Sequence, residues 1–194
     1  MKLTPVIVPF VSLLIPAFGQ QEAKLNCDSY NRDSKYERSC EIRESRLPAT
    51  QRLEVLASPN GGVSIRGWNR QEILVRARVE AQAKSEGEAK TLASQVQVQA
   101  GAGRVTATGP ERNRGNDAWW SVSYEVFVPH RIDLKASSVN GGVNISDVEG
   151  DITYSTVNGG VNLTRLEGNV HGETINGGVN VDMTVGRARG SMLP

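Results

Sequence analysis

Large rings are scarce in this 194-residue chain. Aromatics make up 5% of it, which excludes a thick core built on Phe, Tyr and Trp. Excess charge of one sign is missing as well: 22 Lys and Arg stand against 21 Asp and Glu. Loss of Lys2 with an export signal would balance them, and a balanced chain is not a polyanion binder, so neither nucleic acid nor an anionic membrane is expected as a partner. Two cysteines and two histidines, His130 and His171, are too few and too far apart for a structural zinc site. No apolar run approaches the roughly 20 residues of a membrane-spanning helix. The nearest, Val6 to Phe18, is interrupted by Pro9 and Pro16. With Lys2 before it and Ala17-Phe18-Gly19 after it, residues 1–19 read as a secretory signal peptide with a small-x-small cleavage site. The mature chain is expected outside the cytoplasm, in a bacterial periplasm, on the cell surface or secreted, and not to span the membrane.

What the chain has instead is a repeat. Asn140-Gly141-Gly142-Val143-Asn144-Ile145 returns as Asn158-Gly159-Gly160-Val161-Asn162-Leu163 and again as Asn176-Gly177-Gly178-Val179-Asn180-Val181, every 18 residues. Leu134, Ile152 and Val170 keep the same phase, as do Ser138, Thr156 and Thr174, and Gly150, Gly168 and Gly186. Eighteen residues cannot hold the helix pair of an α-solenoid, whose repeats run to about 33–47. Val143/Ile145 and Val161/Leu163 alternate with Asn, the period of a strand with one buried face. Asn-Gly favours positive φ, so each Asn-Gly-Gly reads as a corner. The expected fold is all-β: a parallel β-solenoid with 18-residue coils, an irregular N-terminal β region and one short helix. Coils about 4.8 Å apart would stack like on like, placing Asn140, Asn158 and Asn176 in one amide ladder and Asn144, Asn162 and Asn180 in another. A meander of antiparallel hairpins is the rival, because Asn-Gly is also a strong hairpin signal.

Four regions follow. After the signal, residues 20–47 are dense in charge with almost no apolar periodicity, a composition that buries too little to hold itself together. In an oxidising compartment the expected use of Cys27 and Cys40 is a disulfide closing this segment, worth about 3 kcal/mol by loop entropy. Lipidation of Cys27 is the alternative, against which Lys24-Leu25-Asn26 lacks small residues. Residues 48–186 form the solenoid domain, opening with Asn60-Gly61-Gly62-Val63-Ser64-Ile65, an early degenerate copy of the repeat. Residues 187–194 read as a frayed end.

Within the domain, Ile73, Val75, Ala77 and Val79 share a strand face, with Arg76 and Arg78 opposite on a solvated side. Ser85-Glu86-Gly87-Glu88 fits a capping box ahead of Ala89, Leu92, Ala93 and Val96 at helical spacing, predicting a helix over 86–95. A hairpin through Gly101-Ala102-Gly103 follows. Val122, Tyr124, Val126 and Val128 form the strongest strand. Just before it, Trp119 and Trp120 put rings on opposite faces, one to cap the open end of the core, or one exposed as a carbohydrate or protein contact.

Chemistry is sparse. Glu149 and Glu167 fall in phase and would repel unless they shared a cation. Asp147 lies beside Arg165, and Asp151 near Asn169. A glycosidase needs a carboxylate pair in paired acid and base roles, and nothing in the pattern supplies the second role. Calcium-binding nonapeptide repeats need Gly then Asp where this chain has Asn and then Ser146, Thr164 or Asp182. No catalytic residue, metal site or cofactor is assigned.

The order of Cys-Glu-Ile-Arg-Glu at 40–44, Pro-Asn-Gly-Gly-Val at 59–63, Ile-Leu-Val-Arg-Ala-Arg-Val at 73–79 and Trp-Ser-Val-Ser-Tyr-Glu-Val-Phe-Val-Pro at 120–129, followed by the coils, resembles the bacterial "putative adhesin" family. That resemblance covers about residues 40–183 and implies a β-solenoid domain in an exported or envelope setting. The chain departs from it by ending soon after the third Asn-Gly-Gly. The function expected is a non-enzymatic surface or scaffold module, binding a protein, a glycan or itself end to end. A carbohydrate-active β-helix enzyme and an envelope-stress or regulatory partner are the alternatives.

Overall fold

The computed structural model describes residues 25–28, 35–111 and 118–183. The expected signal at 1–19 and frayed end at 187–194 lie outside them. Four strands come first: β1 (Glu37–Pro48), β2 (Arg52–Asn60), β3 (Val63–Trp68) and β4 (Glu72–Ala83). Helix α1 (Glu86–Gln95) leads to β5 (Gln97–Gly101), β6 (Arg104–Thr108) and β7 (Trp119–Pro129). The repeat region supplies β8 (Asp133–Asn140), β9 (Val143–Ser146), β10 (Glu149–Asn158), β11 (Val161–Asn176) and β12 (Val179–Met183).

These strands form one mixed sheet that curls round like a barrel not quite closed, in the order β1-β4-β7-β3-β9-β11-β10-β8-β2-β6-β5, with β12 joined to β11. An all-parallel solenoid is therefore not what the chain as a whole forms. The parallel pairings join β2 to β6 and β8, β3 to β7 and β9, and β8–β12 to one another, and within β8–β12 they step by one repeat. Leu134, Ile152 and Val170 are register neighbours, as are Val143, Val161 and Val179. Strand β11 turns from one wall to the other, its first half beside β9 and β12 and its second beside β10. The early copy joins the same stack: β2 lies against β8 and β3 against β9. The hairpin rival fails at every one of these pairs.

The β5–β6 hairpin is the one expected, while the antiparallel run β7-β4-β1 was not expected. Strands β7, β4 and β1 extend one wall beyond β3, and the β5–β6 hairpin extends the other beyond β2. Ala102 and Gly103 both have positive φ in the hairpin turn, the backbone that two-residue turns favour. Strand β1 crosses the stretch read as a charged segment unable to hold itself. It is ordered because its charges find partners across β4: Arg38 pairs with Glu80, Arg46 with Glu72 at 2.8 Å and Glu44 with Arg76 at 3.2 Å. The Arg76 and Arg78 face is accordingly a paired surface, with Arg76 also 3.2 Å from Glu125 and Arg78 3.4 Å from Glu80.

Inside, alternate residues of both walls meet. Leu53, Val55, Ile65, Leu134, Ile145, Ile152, Leu163 and Leu166 are all buried, so aliphatic columns replace the missing rings. The corners explain two columns of the repeat. A Cβ on Gly141, Gly159 or Gly177 would lie 2.3, 2.2 or 2.1 Å from the carbonyl oxygen of the corner below. The expected reason, positive φ, applies in this column to Gly61 alone (φ 135); elsewhere the close approach of stacked backbone excludes a side chain. Left-handed residues instead sit at the opposite corner, Asp147 (φ 61) and Arg165 (φ 52).

The Ser138, Thr156, Thr174 column is polar because it fastens those corners. Each hydroxyl donates to a glycine carbonyl: Ser138 to Gly61 at 2.8 Å, Thr156 to Gly141 at 3.0 Å and Thr174 to Gly159 at 3.1 Å. Thr156 is fully buried. Replacing it by Val keeps the shape and removes the hydrogen bond, so Thr156→Val is expected to cost about 1–3 kcal/mol, read as a lower urea midpoint at unchanged m.

Candidate binding groove and polar ladders

Helix α1 closes the N-terminal end of the barrel. The Ser85 hydroxyl accepts from the Glu88 amide at 3.3 Å, the first half of a capping box, and Ala89 and Ala93 are buried beneath the helix. At its other end Arg43 of β1 donates to the carbonyls of Ala93, at 3.0 Å, and Val96, a cation where the helix dipole is negative. Trp120 packs against the core and donates through Nε1 to the Pro110 carbonyl at 2.9 Å. Gly109 lies under its ring, where a Cβ would come within 2.8 Å of the indole.

By strand alternation Trp119 turns the other way and stays half-buried. It walls a hollow of about 420 Å³ with Leu92, Gln95, Pro110 and Trp120. A second hollow of about 420 Å³ shares Leu92, Gln95 and Ala118 and runs along α1 to Lys84 and Glu88. A third, of about 480 Å³, shares Asn60 and Trp119 and opens towards Ser121, Ser123 and Asn140. Together they make one groove from the helix to the first Asn-Gly-Gly corner. Each hollow falls within the volume class of small-ligand sites, about 300–1,000 Å³.

From that corner an amide ladder runs along the stack. Asn140 Nδ2 donates to Asn60 Oδ1 at 2.8 Å, Asn158 to Asn140 at 2.8 Å and Asn176 to Asn158 at 2.9 Å. Asn60 is a rung the repeat period did not include, since an 80-residue excursion separates it from its neighbour. In the second column Asn144, Asn162 and Asn180 lie in register, and Asn180 donates to Asn162 at 2.9 Å. Cys27 and Cys40 form a disulfide, pinning the chain before β1 to that strand.

The carboxylates gather at the opposite corner, around a hollow of about 310 Å³ lined by His130, Asp147, Glu149, Arg165 and Glu167. Glu149 and Glu167 are register neighbours, and Arg131 binds Glu149 at 2.8 Å. Arg165 grips Asp147 with both ends of its guanidinium, at 2.6 and 2.7 Å. His130 Nδ1 donates to the Asp147 carbonyl at 2.7 Å, and Asn169 donates to Asp151 at 2.8 Å. Among the described residues no group of three or more His, Cys, Asp or Glu is placed to hold a metal ion. Burial pushes the Tyr124 phenol well above its ordinary range, so it stays protonated in the core.

The hydrogen bond from Arg165, opposed by partial burial and reinforced by its charge, holds the Asp147 carboxyl below its ordinary value. A carboxyl depressed in the folded state stabilises above its unfolded pKa, near 3.9, and loses that contribution as pH falls through the lower folded value. Asp147→Asn is therefore expected to flatten the decline of the urea midpoint between about pH 5 and pH 2. Because Arg165 is half exposed, the difference should shrink in high salt.

No family model matches the chain, and no curated protein matches it. Three solved structures are remotely similar. A "putative lipid binding protein" from Parabacteroides distasonis is 12% identical with a TM-score of 0.34, covering 75% of this chain. This chain spans 59% of that protein. A "putative cell adhesion protein" from Clostridium sporogenes is 9% identical with a TM-score of 0.30, covering 76% of this chain and 100% of its own. A "putative adhesin" from Parabacteroides distasonis is 9% identical with a TM-score of 0.29, covering 73% and 65%. Likenesses this remote leave fold and function to the chain's own geometry, and no comparison shows the adhesin family that the sequence motifs led us to expect.

Both tryptophans line the same hollow and both are half-buried, Trp120 also packing against the core. The groove itself was not legible. Its far wall is α1, and the sequence shows that helix without showing where it docks.

Proposed function

We propose that this chain is an exported, non-enzymatic binding module in which a short β-solenoid serves as a rigid scaffold for contacts at its two ends. The observation that carries this reading is the in-register parallel stack from β2 and β3 to β12, stitched by Asn amides and Ser/Thr hydroxyls. Such a rod holds its ends at a fixed separation without a thick core. At one end lies the Trp119 groove. At the other, Val179 and Val181 are 45 and 50% exposed, although Val143, Val161, Ile145 and Leu163 of the same columns are buried in earlier windings, and Ile175 beside them is 69% exposed. An unpaired edge carrying apolar side chains favours association with a second copy.

Two measurements test the reading. Sedimentation of the mature chain should show concentration-dependent self-association that Val181→Lys abolishes; a monomer at all concentrations would remove the self-binding arm. The competing enzymatic reading rests on Glu149 and Glu167. Turnover of acidic glycans, with or without Ca²⁺, that disappears in Glu149→Gln/Glu167→Gln would overturn the proposal.

A further inference from the structure

We infer that the groove beside Trp119 binds a segment of an uncharged polysaccharide, an assignment that rests on the binding-module reading and names its ligand class. Four features of the groove converge on that ligand. Trp119 offers an indole at the junction of two of the three hollows, and the negative face of an aromatic ring attracts the polarised C–H groups of a pyranose. Side-chain amides flank the ring, Gln95 on the helix and Asn60 on the corner. An amide both donates and accepts, as does each sugar hydroxyl, so the two classes satisfy one another without charge.

Charge supplies the third feature. Glu88 borders the hollow at the helix end and Glu111 the hollow beside Trp119, so an acidic polymer meets carboxylates at two places along the groove, and a neutral one meets no repulsion. Length is the fourth: three hollows joined end to end suit several sugar units in a row, and a single sugar would fill only one. A peptide adding itself as a strand has no edge here, because β7 is paired on both sides, by β3 and β4.

The experiment titrates the mature, disulfide-bonded chain with cellohexaose, mannohexaose and chitohexaose by calorimetry and tryptophan fluorescence, with oligogalacturonate as the acidic control. At least one neutral hexasaccharide is expected to bind with a blue shift of emission, and oligogalacturonate not to. Trp119→Ala should weaken binding by about tenfold or more. Trp119→Phe should retain part of the heat while losing the emission change. Gln95 is exposed on the helix, so Gln95→Ala leaves the fold untouched and should weaken binding about fivefold through one lost hydrogen bond. Binding that is unchanged in Trp119→Ala and Gln95→Ala overturns the site while leaving the module reading standing. Silence with all three neutral probes at millimolar concentration overturns the ligand class, as does preferential binding of the acidic control. Absence of any glycan, protein or self-association removes both readings together.

Discussion

Gly159→Ala should destabilise the chain by about 3 kcal/mol or more, while Gly160→Ala next to it should change stability by less than about 1 kcal/mol. The two substitutions add the same methyl group to adjacent residues of one corner. At Gly159 the new Cβ would fall 2.2 Å from the Gly141 carbonyl oxygen and 2.5 Å from its carbon. Those atoms belong to the backbone of the winding below, which is held by Thr156 and by the Asn140–Asn158 rung, so neither can retreat cheaply. At Gly160 the nearest atom is the Gly178 oxygen at 3.7 Å, an ordinary contact. Urea unfolding of both variants checks this. Equal effects would mean that the corner glycines answer to backbone conformation and not to stacking.

Leu163→Ala should cost about 3–5 kcal/mol, and Val181→Ala, one winding on in the same column, less than about 1 kcal/mol. Leu163 is 0% exposed, packed between the aliphatic columns of both walls, and its register partner Val181 is 50% exposed. Collapse around the Leu163 site is restricted because strands β9 and β12 hold β11 on both sides. The residual cavity therefore adds to the lost transfer energy. A large cost at Val181 in a monomeric sample would show that something outside the described residues covers the last winding.

Legibility followed the physics of each element. The Leu134/Ile152/Val170 and Asn140/Asn158/Asn176 columns were readable because stacking forces identical environments at a fixed interval, and identical environments select identical residues. Helix α1 was readable from its cap and spacing, local signals that need no partner. Strand β1 was not, because its order comes from ion pairs with β4, 26 to 42 residues away in the chain, and nothing local announces them. The antiparallel pairing of β4 with β7 and β1 stayed hidden for the same reason, while the β5–β6 hairpin was readable from its Gly-rich turn. Alternation in β4 and β7 marks a buried face without saying which strand lies alongside. The Ser138/Thr156/Thr174 column was visible as a pattern and opaque as a cause, since a hydroxyl aimed at the next corner's carbonyl exists only after winding. The ladder asparagines were identifiable residue by residue, and Trp119 and Trp120 were singled out only as a candidate contact. That the first rung, Asn60, joins the ladder beside the tryptophan depends on an excursion through β4, α1 and β7 that returns to the same stack.

Cysteine cross-linking under mild oxidation separates the two possible windings most directly. Thr153 and His171 are parallel register neighbours on the outer face of β10 and β11, within the Cα separation a disulfide spans, about 4.4–6.8 Å. Ser155 and Asn162 would instead face each other across a hairpin turning at Asn158-Gly159, and here they sit on opposite walls. Stacked windings predict rapid closure of Thr153→Cys/His171→Cys and none of Ser155→Cys/Asn162→Cys. Closure of the second pair, with the first remaining open, would contradict the account.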